Sequence, residues 1–167
     1  MYPEMKSKKS AKPLANSSEE KNNREIVGLV VFDGEKFLLM HRVLNWKGWE
    51  FPKGHLKEGE SYNTAIGREL FEETSIKKFE VVESIDELEY YNDSRKINSH
   101  IKNFLVRVSS NNKISFENQS IKDGKKVIEH DDFRWCFPGE AVKKLTHKNM
   151  KETMKKAIAM LGLDFEK

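Results

Sequence analysis

The longest apolar run in the chain, residues 26–32 (IVGLVVF), reads as a buried strand. Asp33-Gly34 is a turn signal, and residues 36–42 (KFLLMHR) read as its hairpin partner. His41 and Arg42 close that strand as a solvated end. A loop holding Asn45, Gly48, Pro52 and Gly54 follows. The pattern then predicts a helix over 61–74, with Ser61 as its N-cap. Further strands are expected at 79–84, 86–91, 101–108 and 133–135, and two closing helices at 140–145 and 147–161. In the last helix Met150, Met154, Ala157, Ile158 and Leu161 recur at helical spacing. Strands mixed with a few helices imply a layered α/β domain.

No apolar run approaches the ~20 residues a membrane-spanning helix needs, so no membrane partner is expected. The chain has 167 residues, enough for one domain whose core needs no disulfide staple. Its single cysteine, Cys136, excludes a disulfide scaffold and a multi-cysteine zinc site. A reducing, cytoplasmic setting fits, with Cys136 inert. The formal charge of +3 sits wholly in residues 1–24, which hold six cations and three anions, while the rest of the chain is neutral. A basic field of the kind that drives nucleic-acid binding is therefore not indicated. Residues 1–24 are rich in Lys, Ser and Asn and show no apolar periodicity. They read as a disordered basic tail ahead of a domain over 25–167.

Chemistry concentrates in residues 54–76 (GHLKEGESYNTAIGRELFEETSI). Glu69, Glu72 and Glu73 stand at i, i+3 and i+4, within an arc of roughly 100° on one helical face. Like charges at this spacing repel, and Arg68 is the only cation between Ser61 and Ile76. A hard divalent cation, Mg²⁺ or Mn²⁺, is the simplest counter-charge. The alternative is a solvated acidic helix face. Pro52-Lys53-Gly54 just upstream favours the metal, because it adds a cation and approachable backbone. Mg²⁺ is typically held by one or two carboxylates, waters and substrate phosphates.

The same stretch resembles the Nudix box, G-x5-E-x7-R-E-U-x-E-E-x-G-U, where U is aliphatic. Gly54, Glu60, Arg68, Glu69, Leu70, Glu72, Glu73 and Ile76 fall on its fixed positions. The departure is Ser75, which stands where the family has glycine at the helix end. The resemblance implies an α/β/α sandwich with a mixed sheet over roughly 25–160. It also implies metal-dependent hydrolysis of a nucleoside diphosphate linked to a further group. Glu69, Glu72, Glu73 and the Gly54 carbonyl become metal ligands, with Glu69 or Glu73 as base. Arg68 and Glu60 tie the loop to the helix.

Within the family, Trp49-Glu50-Phe51-Pro52-Lys53-Gly54-His55, the segment from Glu129 to Trp135 and the Glu140-Ala141 helix resemble the asymmetric diadenosine tetraphosphate hydrolases. That resemblance gives Lys53 and His55 to phosphate oxygens and makes Glu129 an additional metal ligand or base. Tyr90 or Tyr91, with Phe133, would sandwich a purine, although strand alternation lets only one of the two tyrosines face the cleft. Arg95 and Lys96 would approach the outer phosphates. Trp135 reads as core. Gly48 departs from the histidine common in that branch, and the lysine-rich loop after the tyrosines is reduced to Arg95 and Lys96. The expected reaction gives ATP and AMP from a small nucleotide, carried out by a monomer. Clean-up of oxidised nucleoside triphosphates, messenger-RNA decapping and an inactive nucleotide-sensing module are the alternatives.

Overall fold

The computed structural model describes residues 22–119, 121–122 and 124–165, with only the backbone of Lys122. The expected tail therefore lies outside the described residues up to position 21. The first strand, β1 (Asn23–Phe32), begins two residues before the expected boundary. It is followed by β2 (Phe37–Arg42), β3 (Gly48–Glu50), β4 (Lys53–His55), α1 (Tyr62–Thr74), β5 (Glu80–Asn92) and β6 (Ile97–Arg107). Then come the short pair β7 (Ile121–Lys122) and β8 (Lys125–Lys126), β9 (His130–Cys136), α2 (Pro138–Lys144) and α3 (Lys148–Met160).

The main sheet is mixed. Its order is β3-β2-β1-β6-β5, with β4 on β1 and β9 on β2. β1 and β6 run parallel from Asn23↔Asn98 to Phe32↔Arg107, and the other pairs are antiparallel. β1 is buried on both faces, which explains its unbroken apolar run. Val27, Leu29 and Val31 pack with Leu38, Met40, Phe104 and the Ala65, Ile66 and Leu70 stripe of α1. Val30 and Phe32 pack with Leu39 and Leu105 against Ala141, Val142, Met154 and Ile158 of α2 and α3. The molecule is thus the expected α/β/α sandwich. Among the described residues, no helix is long and apolar enough to cross a membrane.

Two local features position the site. β1 and β2 pair at Phe32↔Phe37 and then part, β2 taking β3 and β1 taking β4. The loop expected after β2 therefore holds two short strands, linked by Phe51 and Pro52, that fill the split. Such short segments lack the alternating run that marks a strand in sequence. The second feature is α1. The Ser61 hydroxyl accepts from the Thr64 N–H at 3.2 Å, a side-chain N-cap. The helix stops at Ser75, whose backbone is left-handed (φ 66°) and whose N–H donates to the Phe71 carbonyl. This is the position the family gives to glycine. Here serine adds a donation to the Ser115 carbonyl (3.0 Å) and an acceptance from Asn118 Nδ2 (2.8 Å), which offset its steric cost.

The strands expected at 79–84 and 86–91 are a single strand, β5. Register shifts between Val81 and Glu83 and between Ser84 and Asp86 break its alternation while leaving it paired to β6. The helix expected from residue 140 starts at Pro138, a favoured first-turn residue.

Candidate active site

Where β1 and β2 part, α1 packs against β4, and its acidic face approaches Gln119, Glu129 and the start of β9. Glu69, Glu72, Glu73, Gln119, Glu129 and His130 line the cavity between them. Gly54 makes the close approach possible: a Cβ there would collide with the Glu69 carboxylate. The Lys53 N–H donates to Glu73 Oε2 at 3.1 Å. Glu73 Oε1 is buried and has no hydrogen-bond partner.

Arg68 anchors the loop before α1. Its Nε and Nη2 each donate to Glu60 at 2.8 Å, a bidentate pair, and Nη2 also reaches the His55 carbonyl at 2.8 Å. Its Nη1 contacts Glu69 at 2.6 Å and Glu72 at 3.4 Å. The Arg68 hydrogen bonds hold the Glu60 carboxyl down at about 2 against a small desolvation effect.

Glu50, at the end of β3, is fully buried. It accepts from Arg42 Nη1 (3.0 Å) and His130 Nε2 (2.9 Å), and Lys53 Nζ lies 3.3 Å away. Burial raises its pKa, but the His130 hydrogen bond and the Lys53 and Arg42 charges outweigh it and hold the carboxyl at about 2. Since an ionised carboxylate only accepts, His130 Nε2 carries the proton. Arg42 Nη1 also donates to Glu129 Oε1 at 2.8 Å. Burial works against the Arg42 charge, yet Glu50, Glu129 and Glu73 together raise its pKa.

The helix carboxylates behave in the opposite way. Burial pushes Glu69 up to about 7, Arg68 opposing and Glu72 and Glu129 adding to the rise. Burial, then the charges of Glu129, Glu69 and Glu50, push Glu73 well above the usual carboxylate range. Carboxylates gathered this way with an orphaned buried oxygen are short of positive charge. Glu69, Glu73 and Glu129 offer hard oxygen donors, so the residues present fit Mg²⁺ or Mn²⁺. Glu50, Glu129 and His130 also place donor atoms within 4.8 Å of one another. That second grouping already contains the Arg42 guanidinium and, at its edge, the Lys53 ammonium, so it is a poorer cation site.

The family profile described as the NUDIX domain matches residues 22–159. The chain belongs to the Nudix family. Among curated relatives, the RNA pyrophosphohydrolase of Pelagibacter ubique is 43% identical over 70 residues, covering 41% of this chain and 44% of the relative. The RNA pyrophosphohydrolase of Bartonella bacilliformis is 30% identical over 93 residues, covering 50% and 55%. This Nudix chain matches about half the length of these two curated relatives and as little as 28% of others. Among solved structures, a C. elegans Ap4A hydrolase binary complex superposes with a TM-score of 0.68 at 24% identity, over 83% of this chain and 98% of that one. A MutT protein from Methanosarcina mazei superposes with a TM-score of 0.62 at 18% identity, over 83% and 95%. These likenesses establish the Nudix fold.

Of the residues the sequence singled out, Glu69, Glu73, Glu129, Lys53 and Gly54 come together. Glu72 stands at the rim beside Arg68. His55 ends β4, at the same end of the sheet as the β5–β6 turn that carries Arg95 and Lys96. The expected aromatic sandwich does not form. Tyr90 and Tyr91 are exposed on β5, whereas Phe133 packs edge-on to Phe116 against the α1-side core. Trp135 packs partly buried against that same core. Cys136 is buried, and burial pushes its thiol up to about 11. Arg42 is not a solvated strand end. Its side chain is 12% exposed and joins Glu50 to Glu129. Arg42, Glu50, Gln119 and His130 are the members that sequence reasoning missed. An Arg–Glu–His set from three separate strands leaves no local spacing to read.

Proposed function

We propose that the chain hydrolyses a pyrophosphate bond in a nucleoside 5′-polyphosphate, with Mg²⁺ or Mn²⁺ held by Glu69, Glu73, Glu129 and the Gly54 carbonyl. One observation carries the reading: the buried carboxylates Glu69 and Glu73 are short of positive charge, and Glu73 is tied to the backbone of Lys53, which brings a cation to the same place. Glu72 joins the set from the rim. When bound, the metal lowers the pKa of water and neutralises phosphoryl charge.

The chain's own groups do the rest. Water attacks one phosphorus, the bridging P–O bond breaks, and a carboxylate of the Glu69, Glu73 and Glu129 set takes the water's proton. Lys53 meets charge developing on the leaving polyphosphate. Arg68 touches no substrate in this scheme; it fixes the loop that carries Gly54 and His55. His55 contacts phosphate from the end of β4.

The finer reading is a dinucleoside tetraphosphate, diadenosine tetraphosphate above all, split into ATP and AMP. The PKGH loop, the segment from Glu129 to Trp135 and the placement of Arg95 and Lys96 at the His55 end of the sheet support it. Tyr90 or Tyr91 would then stack on a purine without Phe133. A second reading, removal of pyrophosphate from the 5′ end of RNA, is supported by the curated relatives. It is also supported by an aromatic and basic surface beside Arg42, where the Arg42 guanidinium lies 5.8 Å over Trp46 and Trp46 meets His147 at 4.5 Å.

The test is a competition with Mg²⁺ among diadenosine tetraphosphate, 5′-triphosphorylated RNA, ADP-ribose and oxidised dGTP, with separation of the products. ATP and AMP in equal amounts are expected. Two ADP molecules would contradict asymmetric cleavage, and preference for RNA would install the second reading.

A further inference from the structure

The reaction scheme leaves one buried charge without a role. Glu50 lies in the split between β1 and β2 with none of its surface exposed. Its Oε1 accepts from Arg42 of β2 and His130 of β9, and its Oε2 faces Lys53 of β4 at 3.3 Å. Oε2 has no hydrogen-bond partner. Three basic groups from three strands therefore converge on a single carboxylate. An apolar side chain of similar volume would fill such a position without the desolvation cost of burying a charge, so packing alone does not account for a glutamate here.

The partners show what the charge does. Arg42 uses the same Nη1 for Glu50 (3.0 Å) and for Glu129 (2.8 Å). Its positive charge is thus divided between Glu50 and a metal-site residue. Lys53 binds Glu73 through its backbone and faces Glu50 with its ammonium. The contact with Glu50 is an ion pair and not a hydrogen bond, so it takes none of the ammonium's three donors.

We propose that Glu50 is a positioning residue: by sharing Arg42 with Glu129 and steadying the ammonium of Lys53, whose backbone binds Glu73, it keeps Glu129 open to a divalent cation and Lys53 aimed at the polyphosphate. The inference deepens the functional reading above and rests on it. Without the Glu50 charge, Arg42 has Glu129 as its remaining close carboxylate and neutralises it fully. The surroundings of Glu129 also become more positive by one charge. Both changes weaken cation binding. Lys53, freed from Glu50, loses its fixed direction.

The test compares the wild type, Glu50→Gln and Glu50→Asp. Mn²⁺ binding to the nucleotide-free proteins is followed by electron paramagnetic resonance of free Mn²⁺, alongside melting curves and kinetics on diadenosine tetraphosphate. Glu50→Gln keeps the shape and removes the charge. Its Mn²⁺ dissociation constant should rise roughly 10–100-fold, the usual scale for residues that orient metal ligands, and its KM should rise as well. Glu50→Asp keeps the charge and should recover a large part of both losses. Wild-type Mn²⁺ affinity in Glu50→Gln would overturn the proposal. So would equal losses in the two variants, or a failure of both to fold, since either makes Glu50 a packing residue. A wild type that binds Mn²⁺ but cleaves no nucleotide would sink the functional reading alone, and the Mn²⁺ comparison would still decide the role of Glu50.

Discussion

Glu50 and Glu73 are both essentially buried and close enough for the charge of one to act on the other, yet their charges are held in opposite ways. Glu50 is held at about 2 because Arg42, His130 and Lys53 surround it. Glu73 is pushed well above the usual range because its neighbours are mostly other carboxylates. Burial alone therefore does not predict whether a carboxylate is stable as an anion; the local balance of charge does. Glu50 sits in an ion cluster with three basic groups. Glu69 and Glu129 have Arg68 and Arg42 beside them, but Glu73 is left among carboxylates, and the proposed divalent ion would supply that missing charge.

The largest test of this contrast is Glu73→Gln. Turnover with Mg²⁺ should fall by at least ~10²-fold, the scale of lost acid–base or electrostatic assistance. The metal-free protein should melt no lower than the wild type, because one of several mutually repelling buried carboxylates has gone. Near wild-type turnover would remove Glu73 from the site.

Next is the pH dependence of melting without metal. Glu69 rises on folding from an ordinary 4.5 to about 7, so its stabilising contribution is full below about 4.5 and is lost as pH rises through about 7. Glu50 and Glu60 fall to about 2, so their contributions are present above about 4.5 and are lost as pH falls through about 2. Melting temperature should peak between these limbs, and saturating Mg²⁺ should lift the neutral limb alone. A metal-free profile that is flat from pH 5 to 8 would contradict the charge deficit.

A smaller effect is expected from Arg68→Lys. An ammonium cannot reproduce the fork that meets Glu60 twice and the His55 carbonyl once. Calorimetry should show a melting temperature about 5 °C lower, with weaker turnover as the Gly54 loop loosens.

The smallest effect is expected at Ser75→Gly. Glycine relieves the left-handed strain but removes the bonds to Ser115 and Asn118. The melting temperature should move by no more than about 3 °C, and turnover should be unchanged.

The layered α/β character, α1 and its acidic face were legible because each rests on local pattern: the run before Asp33, the Ser61 cap, and the i, i+3, i+4 glutamates; the α/β/α sandwich was legible only through resemblance. The short strands β3 and β4 were not, because three residues carry no period. The bulges in β5 made one strand read as two. Glu129 was legible only through resemblance, since nothing near it in the chain marks it as part of the helix cluster. Arg42 was misread because a charged residue at a strand end is ordinarily solvated. Its burial follows from β9 pairing along β2 and bringing Glu129 and His130 beside it, a contact 87 residues apart in sequence for Glu129.

Gln119 has a consequence for how this molecule can be altered. Its amide donates to the His130 carbonyl (3.1 Å) and accepts from the Glu129 N–H (2.9 Å). A single side chain thus buckles together the two ends of the stretch between 119 and 129. The ends are fixed by the buckle, and the entropy of closing a loop grows only as the logarithm of its length. What lies between can be lengthened, shortened or exchanged with little disturbance to Glu129. The stretch is a graft point that leaves the anchor of Glu129 in place.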